Sequence, residues 1–202
     1  ISLGLVGSEM CIRDRVQPGQ WALVQAAAGG VGLLLVQWLK HIGATVIAVA
    51  GSPDKLAIAM AHGADHGLVQ DATMAQQVRD LTGGRGVDVV FDGVGKATFE
   101  ASLDSLMRRG LLASYGNASG AVGSVDFAIL ARKGSLFATR PTLFDYYTNR
   151  DEIERYAGRV LDLVAKGVLK VNVDQRYALK DVATAHRDLE ARRTTGSTVL
   201  LP

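Results

Sequence analysis

The stretch WALVQAAAGGVG (21–32) constrains this chain more than any other. An apolar run leads straight into a glycine-rich bend, and the bend leads straight into the apolar helix pattern GVGLLLVQWLKHIG (30–43). A strand that turns so abruptly into a helix needs residues without bulk at the turn. Gly29 lets the backbone come close to a ligand, and Gly32 lets the helix lie tightly on the strand it has just left. The first N–H groups of that helix have no partner within it, and its dipole puts partial positive charge there. The bend is therefore a cradle for an anion such as a pyrophosphate. The helix is apolar on most of its surface and must be covered. TVIAVA (45–50), an unbroken apolar run, reads as the parallel strand beside the first, with both faces buried.

Strand and helix signals keep alternating after this βαβ unit. Ser52 is placed to cap a helix with Pro53 at its first position, running to about His62. HGLV (66–69) is a third strand, MAQQVRDLTGG (74–84) a helix with a glycine stop, and VDVVFDGV (87–94) a fourth strand. KATFEASLDSLMRRG (96–110) is a helix and LLASYG (111–116) a fifth strand; DFAILARKG (126–134) and SLFATR (135–140) give one more helix and strand. The pattern predicts an α/β fold, a Rossmann-type doubly wound parallel sheet. Within it, Ala27-Ala28-Gly29-Gly30-Val31-Gly32 matches the dinucleotide fingerprint G-x-G-x-x-G, with Ala27 at the first glycine. After Pro141 the rhythm changes. TLFDYYTN is a loop, and Asn149 caps a helix with Glu152 three residues on. Ile153, Ala157, Val160, Leu161 and Val164 form one apolar stripe on that helix. VNVDQRYAL, a helix KDVATAHRDLEARR and a strand STVLLP follow.

The end of the second strand discriminates between nicotinamide cofactors. An NAD site places Asp or Glu there, where it bonds the ribose 2′-hydroxyl. This chain reads Ala50-Gly51-Ser52-Pro53-Asp54-Lys55. No acid sits at the strand tip, Gly51 and Ser52 leave room for a 2′-phosphate, and Lys55 can reach one. Asp54 belongs to the first helical turn, where a carboxylate complements the dipole. NADPH is expected over NADH.

Composition removes several other classes. The 202 residues are 48% hydrophobic and 21% charged, enough for a sizeable core, and the net charge is +2. That balance, with no aromatic-basic stripe, argues against nucleic acid, and no apolar run reaches membrane-spanning length. The single cysteine, Cys11, excludes an internal disulfide and a cysteine zinc cluster, and suits a reducing cytoplasm. His41, His62, His66 and His186 show no metal-ligand spacing. Asp88 and Asp92, four apart on one strand, lie about 13 Å apart, too far for a catalytic carboxylate pair. They read as strand-end hydrogen-bonding groups. Trp21 and Trp38 read as packing residues, and Arg108-Arg109 and Arg192-Arg193 as helix-end arginines. Ser114 and Ser135 sit in no nucleophile elbow.

AAAGGVG, LTGGRGVDVVFDGVGKATFEASLDSL, RRGLLASYGNASG, KGSLFATRPTLFDY and AHRDLEARRTTGSTVLLP resemble, in order, motifs of the NADPH:quinone oxidoreductases. These are the zeta-crystallin-like, zinc-free branch of the medium-chain dehydrogenase/reductases. The resemblance covers Val16 to Pro202. It implies a dinucleotide-binding domain over 16–140 and a segment over 141–202 that completes it and returns to a GroES-like catalytic domain. It also implies that this chain is the C-terminal part of a longer enzyme. Residues 2–15 instead resemble translated sequencing-adapter sequence, so 1–15 are expected to be non-native or disordered.

Carried over position by position, the resemblance puts Ala28, Gly29, Gly30 and Val31 at the pyrophosphate. Gly51, Ser52 and Lys55 fall at the 2′-phosphate, and Arg192 closes over the cofactor. Tyr115, Gly116 and Asn117 lie by the nicotinamide, with Phe137, Ala138 and Thr139 passing its side. Gln70 stands where relatives often carry a tyrosine near the 2′-phosphate. Asp71 beside it would repel that group at close range, which weakens the expected preference. No catalytic side chain and no metal are expected in this chain. The implied activity is hydride transfer from NADPH to a quinone, with an enone or acrylyl C=C bond as the alternative acceptor. A reading of another class is an RNA-binding or structural, crystallin-like module. The resemblance further implies a cytoplasmic homodimer joined through the sheet edge, for which SLFATR is the candidate.

Overall fold

The computed structural model describes residues 16–202. The expectations that fall on 1–15, Cys11 included, lie outside the described residues. Eight strands are described: β1 (Trp21–Val24), β2 (Thr45–Ala50), β3 (His66–Val69), β4 (Val87–Asp92), β5 (Leu106–Ser114), β6 (Phe137–Thr139), β7 (Val173–Ala178) and β8 (Ser197–Leu201). The α-helices are α1 (Gly30–His41), α2 (Pro53–Ala61), α3 (Met74–Leu81), α4 (Phe99–Ser105), α5 (Ala128–Arg132), α6 (Arg150–Ala165) and α7 (Val182–Glu190).

The first six strands form one sheet in the order β3-β2-β1-β4-β5-β6, and every pairing is parallel. The expected doubly wound sheet is therefore present. Its strand order reverses beside β1, so a crevice opens past the carboxyl ends of β1 and β4. The unbroken apolar strands follow from burial on two sides. Ala22, Val24, Val46, Ala48 and Phe91 face one core with α1 and the end of α6. Leu23, Ile47, Val49, Val90 and Leu112 face the other, with Met74 and Val78 of α3 and Leu103 of α4.

Two boundaries differ from the sequence reading. The helix expected over 96–110 ends at Ser105, and β5 begins at Leu106, so Arg108 and Arg109 are strand residues, not helix-end ones. The Arg79 guanidinium explains the stop. It donates to the carbonyls of Asp104 at 2.8 Å and Leu106 at 2.7 Å, satisfying groups a longer helix would have bonded internally. Leu106 then enters the core opposite Val87, and the chain kinks at Arg109, whose φ is +61°. The second difference is the stripe on α6. Val160 and Leu163 are buried, whereas Ile153 and Leu161 are 45% and 56% exposed. The last turns of α6 dock against α1, where Arg159 lies 5.9 Å from the Trp38 ring centre, while Tyr156 packs on Tyr146 and Tyr147 of the preceding segment. The cap is as expected, since Asn149 accepts from the Glu152 N–H at 3.0 Å. The Glu152 carboxylate reaches back to the N–H of Thr148, one residue further than a capping box requires.

β7 and β8 form a separate two-stranded parallel sheet, with α7 as the crossover. Trp38 is buried, and Trp21 stacks on His66 at 5.3 Å, so both tryptophans are packing residues. Among the described residues no helix is long and apolar enough to cross a membrane.

The docking of α6 predicts unequal losses from neighbouring leucines. Leu163→Ala should cost about 2–3 kcal/mol and Leu161→Ala about 0.5 kcal/mol or less, read as urea midpoints at unchanged slope.

Candidate functional site

The site begins where β1 stops. The chain leaves Val24 and makes its sharpest bend at Ala26, whose φ of +51° is the left-handed conformation. Ala26, and not the fingerprint's first position at Ala27, therefore carries the strain of the turn. Gly29 caps α1 with extended dihedrals and no side-chain hydrogen bond, and no acidic residue occupies the first turn. The N–H groups that open α1 thus face a concave bend of small residues, free of any competing carboxylate. Space is tightest at Gly32. A Cβ there would lie 2.5 Å from the Ala26 carbonyl oxygen and 2.7 Å from Ala27 Cα, so only glycine lets α1 sit this close to the turn.

The other wall of the cradle comes from the far end of the chain. Gly196 N donates to the Ala28 carbonyl at 2.9 Å, and Gly29 and Gly196 form an isolated parallel bridge. A Cβ on Gly30 would lie 3.1 Å from Gly196 O and from Ser197 Oγ. Gly196 was not among the candidates of the sequence reading; a lone glycine before a strand carries no fingerprint.

At the tip of β2, Ser52 Oγ accepts from Lys55 N at 3.4 Å, the expected cap. A Cβ on Gly51 would meet nothing within 4 Å, so the space at the tip is open. The Lys55 ammonium donates to the carbonyls of Arg192 at 2.5 Å and Thr194 at 3.2 Å. Two expected cofactor residues are thus brought together, with Arg192 itself at φ +58°. Gln70 lies alongside, its N–H donating to the Ala50 carbonyl at 2.9 Å. The Gln70 side-chain oxygen is buried without a hydrogen-bond partner. Asp71 turns away from the tip: the Thr73 hydroxyl and N–H, each at 2.7 Å, hold its carboxyl below the usual carboxylate range.

Across the reversal point, the carboxyl end of β5 is locked against β4. A Cβ on Gly93 would lie 2.7 Å from the Tyr115 ring, and one on Gly116 would lie 2.3 Å from the Gly93 carbonyl oxygen. Arg140 donates to the carbonyls of Ser114 at 2.9 Å and Gly116 at 3.2 Å. With its amide turned to suit both neighbours, Asn117 donates to Gly116 O at 2.8 Å and accepts from Arg140 at 3.2 Å. Arg140 escaped the sequence reading because nothing in its neighbours announces a carbonyl clamp. Beneath this wall, Asp92 is buried. It accepts from the N–H groups of Val94 and Gly95 at 2.8 and 3.0 Å and from the hydroxyls of Thr98 and Ser102 at 2.8 Å. Asp88 accepts from Trp21 N at 2.9 Å and pairs with Arg85. Both aspartates are hydrogen-bonding groups of the strand ends. Phe137, Ala138 and Thr139 lie on β6, exposed at the sheet edge. Among the described residues no group of three or more His, Cys, Asp or Glu is placed to hold a metal ion.

An open parallel sheet with a helix N-terminus at its reversal point is the arrangement of a Rossmann-type dinucleotide fold. Residues 30–166 match the family described as zinc-binding dehydrogenase, and the chain belongs to that family. It is 48% identical over 190 residues to a quinone oxidoreductase of Salmonella typhimurium, covering 93% of this chain and 58% of that protein. It is 43% identical over 192 residues to a 2-haloacrylate reductase of a Burkholderia species, covering 93% of this chain and 57% of that protein. Among solved structures it is similar to Escherichia coli quinone oxidoreductase complexed with NADPH. The TM-score is 0.94 and the identity 42%, over 100% of this chain and 63% of that one. The chain thus spans less than two thirds of the length of these relatives.

The glycines of the site divide by the space around them. Gly32→Ala should cost about 3 kcal/mol, because backbone atoms cannot retreat from the new Cβ. Gly51→Ala should fall within about 0.5 kcal/mol of the parent in the same urea titration.

Proposed function

We propose that this chain binds a nicotinamide dinucleotide, NADPH in preference to NADH, and that the protein transfers a hydride from it to a quinone. The observation that carries the reading is the N-terminus of α1, which has no side-chain cap. It opens on a cradle of Ala28, Gly29, Gly30 and Val31 in which no side chain competes for the N–H groups. That environment suits a pyrophosphate. The tip of β2 suits a 2′-phosphate better than a bare ribose, since it offers open space at Gly51, a serine hydroxyl and the Lys55 ammonium, and no acid. Asp71, whose charge would oppose a phosphate, is turned onto Thr73. The buried, unpaired oxygen of Gln70 is the kind of polar atom that a bound ribose or a water held by it would satisfy.

When bound, NADPH supplies the hydride at nicotinamide C4. This chain's residues hold and shape. The α1 terminus anchors the phosphates, and Gly51, Ser52, Lys55, Gln70 and Arg192 surround the adenosine end. Tyr115, Gly116 and Asn117, stiffened by Arg140 and Gly93, form the wall for the nicotinamide, with Phe137, Ala138 and Thr139 beside it. Such fixed backbone at the end of a strand orients the ring without having to reorganise during transfer. The quinone oxidoreductases among the relatives support the acceptor. The 2-haloacrylate reductase favours a second reading, in which the acceptor is an activated C=C bond.

The oligomer we propose is a homodimer. β6 is the last strand of the sheet, and its outer edge leaves Phe137 58% exposed. Pairing with a second copy would cover that edge.

Fluorescence titration should show saturable NADPH binding at least about tenfold tighter than NADH, the size expected for one charge-assisted phosphate contact. Absence of saturable binding of either nucleotide would overturn the reading. On a complete parent enzyme, a larger kcat/KM for a quinone than for an enone or 2-haloacrylate is expected, and the reverse order would select the C=C acceptor. Sedimentation equilibrium should return a dimer mass, and a monomer at tens of micromolar, roughly the range in which weak pairs associate, would exclude pairing through β6.

A further inference from the structure

We propose that Lys55 is a positioning residue that fastens the 191–196 strap over the phosphate cradle, in addition to any contact with a ligand phosphate. The inference rests on the dinucleotide reading above. A lysine in the first turn of a helix is opposed by the dipole, so its place at the start of α2 calls for compensation. The compensation is visible. Its ammonium has three hydrogens, and two are directed at the carbonyls of Arg192 and Thr194. The third remains for an anion at the tip of β2.

The strap itself is short and held at both ends. On one side, Arg192 N and Arg193 N close α7 through the carbonyls of Leu189 and Asp188, with Arg192 in the left-handed region. On the other, Gly196 N bonds the Ala28 carbonyl and Ser197 N the Asn172 carbonyl. Thr195 Oγ1 donates to Asp174 at 2.9 Å. A Cβ on Gly196 would lie 2.7 Å from Asp174 Oδ2 and 2.8 Å from the Asn172 carbonyl oxygen, so this end packs closely on residues 172–174. Between these anchors, Lys55 is the side chain that ties the strap to the nucleotide sheet, across 137 and 139 positions of sequence. Losing that tie would loosen the segment that leads into Gly196, leaving the Ala28 hydrogen bond to hold the wall against which Gly30 and Gly29 are set. The pyrophosphate cradle and the 2′-phosphate site are in this way coupled through one ammonium group.

A residue that only contacts a 2′-phosphate has no effect on a ligand lacking one, and that separates the two roles. Lys55→Met keeps the stem and removes the hydrogens; Lys55→Arg keeps the charge. Kd for NADPH and for NADH is measured by titration on the full chain, and amide hydrogen exchange of 191–197 is followed without ligand. The strap predicts that Lys55→Met weakens NADH as well as NADPH, by about fivefold or more for NADH. It also predicts faster exchange at 191–197 without ligand, partly restored by Lys55→Arg. Unchanged NADH affinity with unchanged exchange, even alongside weaker NADPH, would overturn it and leave Lys55 as a phosphate contact alone. Should the parent chain bind neither nucleotide, the proposed function fails, while the exchange of 191–197 still decides whether Lys55 holds the strap.

Discussion

The approach of α1 to the end of β1 is the constraint on which this molecule depends. With no Cβ at Gly32, the helix sits against the Ala26–Ala27 backbone at distances no other residue allows. That closeness aims the N-terminus of α1 along the crevice where the strand order reverses. It also obliges the preceding turn to be made in very few residues, which forces Ala26 into the left-handed region. A strain of about 1 kcal/mol at an alanine is tolerable because the neighbouring strands and helix over-determine the turn. The anion site is thus a by-product of packing: the turn that fits α1 to the sheet is the same turn that leaves the helix N–H groups open.

The opposite half of the crevice is held by a different device. Two glycines, Gly93 and Gly116, let the loops after β4 and β5 touch. The Asp92 carboxylate, sunk below them, gathers two N–H groups and two hydroxyls. A carboxyl group this buried needs donors for its lone pairs, and they are drawn from the loop that follows it and from the helix α4 beyond. The network does for the β4–β5 side what Gly32 does for the β1 side. It makes a loop behave as rigid backbone at the place where a ligand would be oriented.

Most of the fold was legible because it rests on local signals that agree with one another. β2 and β3 begin and end where their apolar runs do, and α2 begins at the Ser52-Pro53 signal. Legibility failed where distant atoms intervened. LMRR carries helical propensity, but Arg79, from another helix, takes the carbonyls that would have prolonged α4. On α6, period alone cannot show which part of the apolar stripe is covered, and Ile153 and Leu161, both on that stripe, are exposed. The candidate site divides the same way. The glycines of the cradle and the tip of β2 are contiguous in sequence and were visible there. Gly196 and Arg140 act from across the fold on backbone groups, and a backbone carbonyl leaves no mark in sequence.

The contribution of Gly196 bears on how the last third of the chain relates to the first. β7, α7 and β8 form a small unit of their own, with its own two-stranded sheet. Its ties to the nucleotide sheet include the Gly196 bridge and the Lys55 hydrogen bonds at one end, and Gln37 to the Lys170 backbone and His62 to Asn172 at the other. Lys55 and Gln37 make two hydrogen bonds each and His62 one, and such contacts are worth little alone when partly exposed. A ligand that touched both units from the cradle would add to these ties a stabilisation that grows with the logarithm of ligand concentration over Kd. The segment that closes the cradle is then also the segment whose order depends most on what the cradle holds.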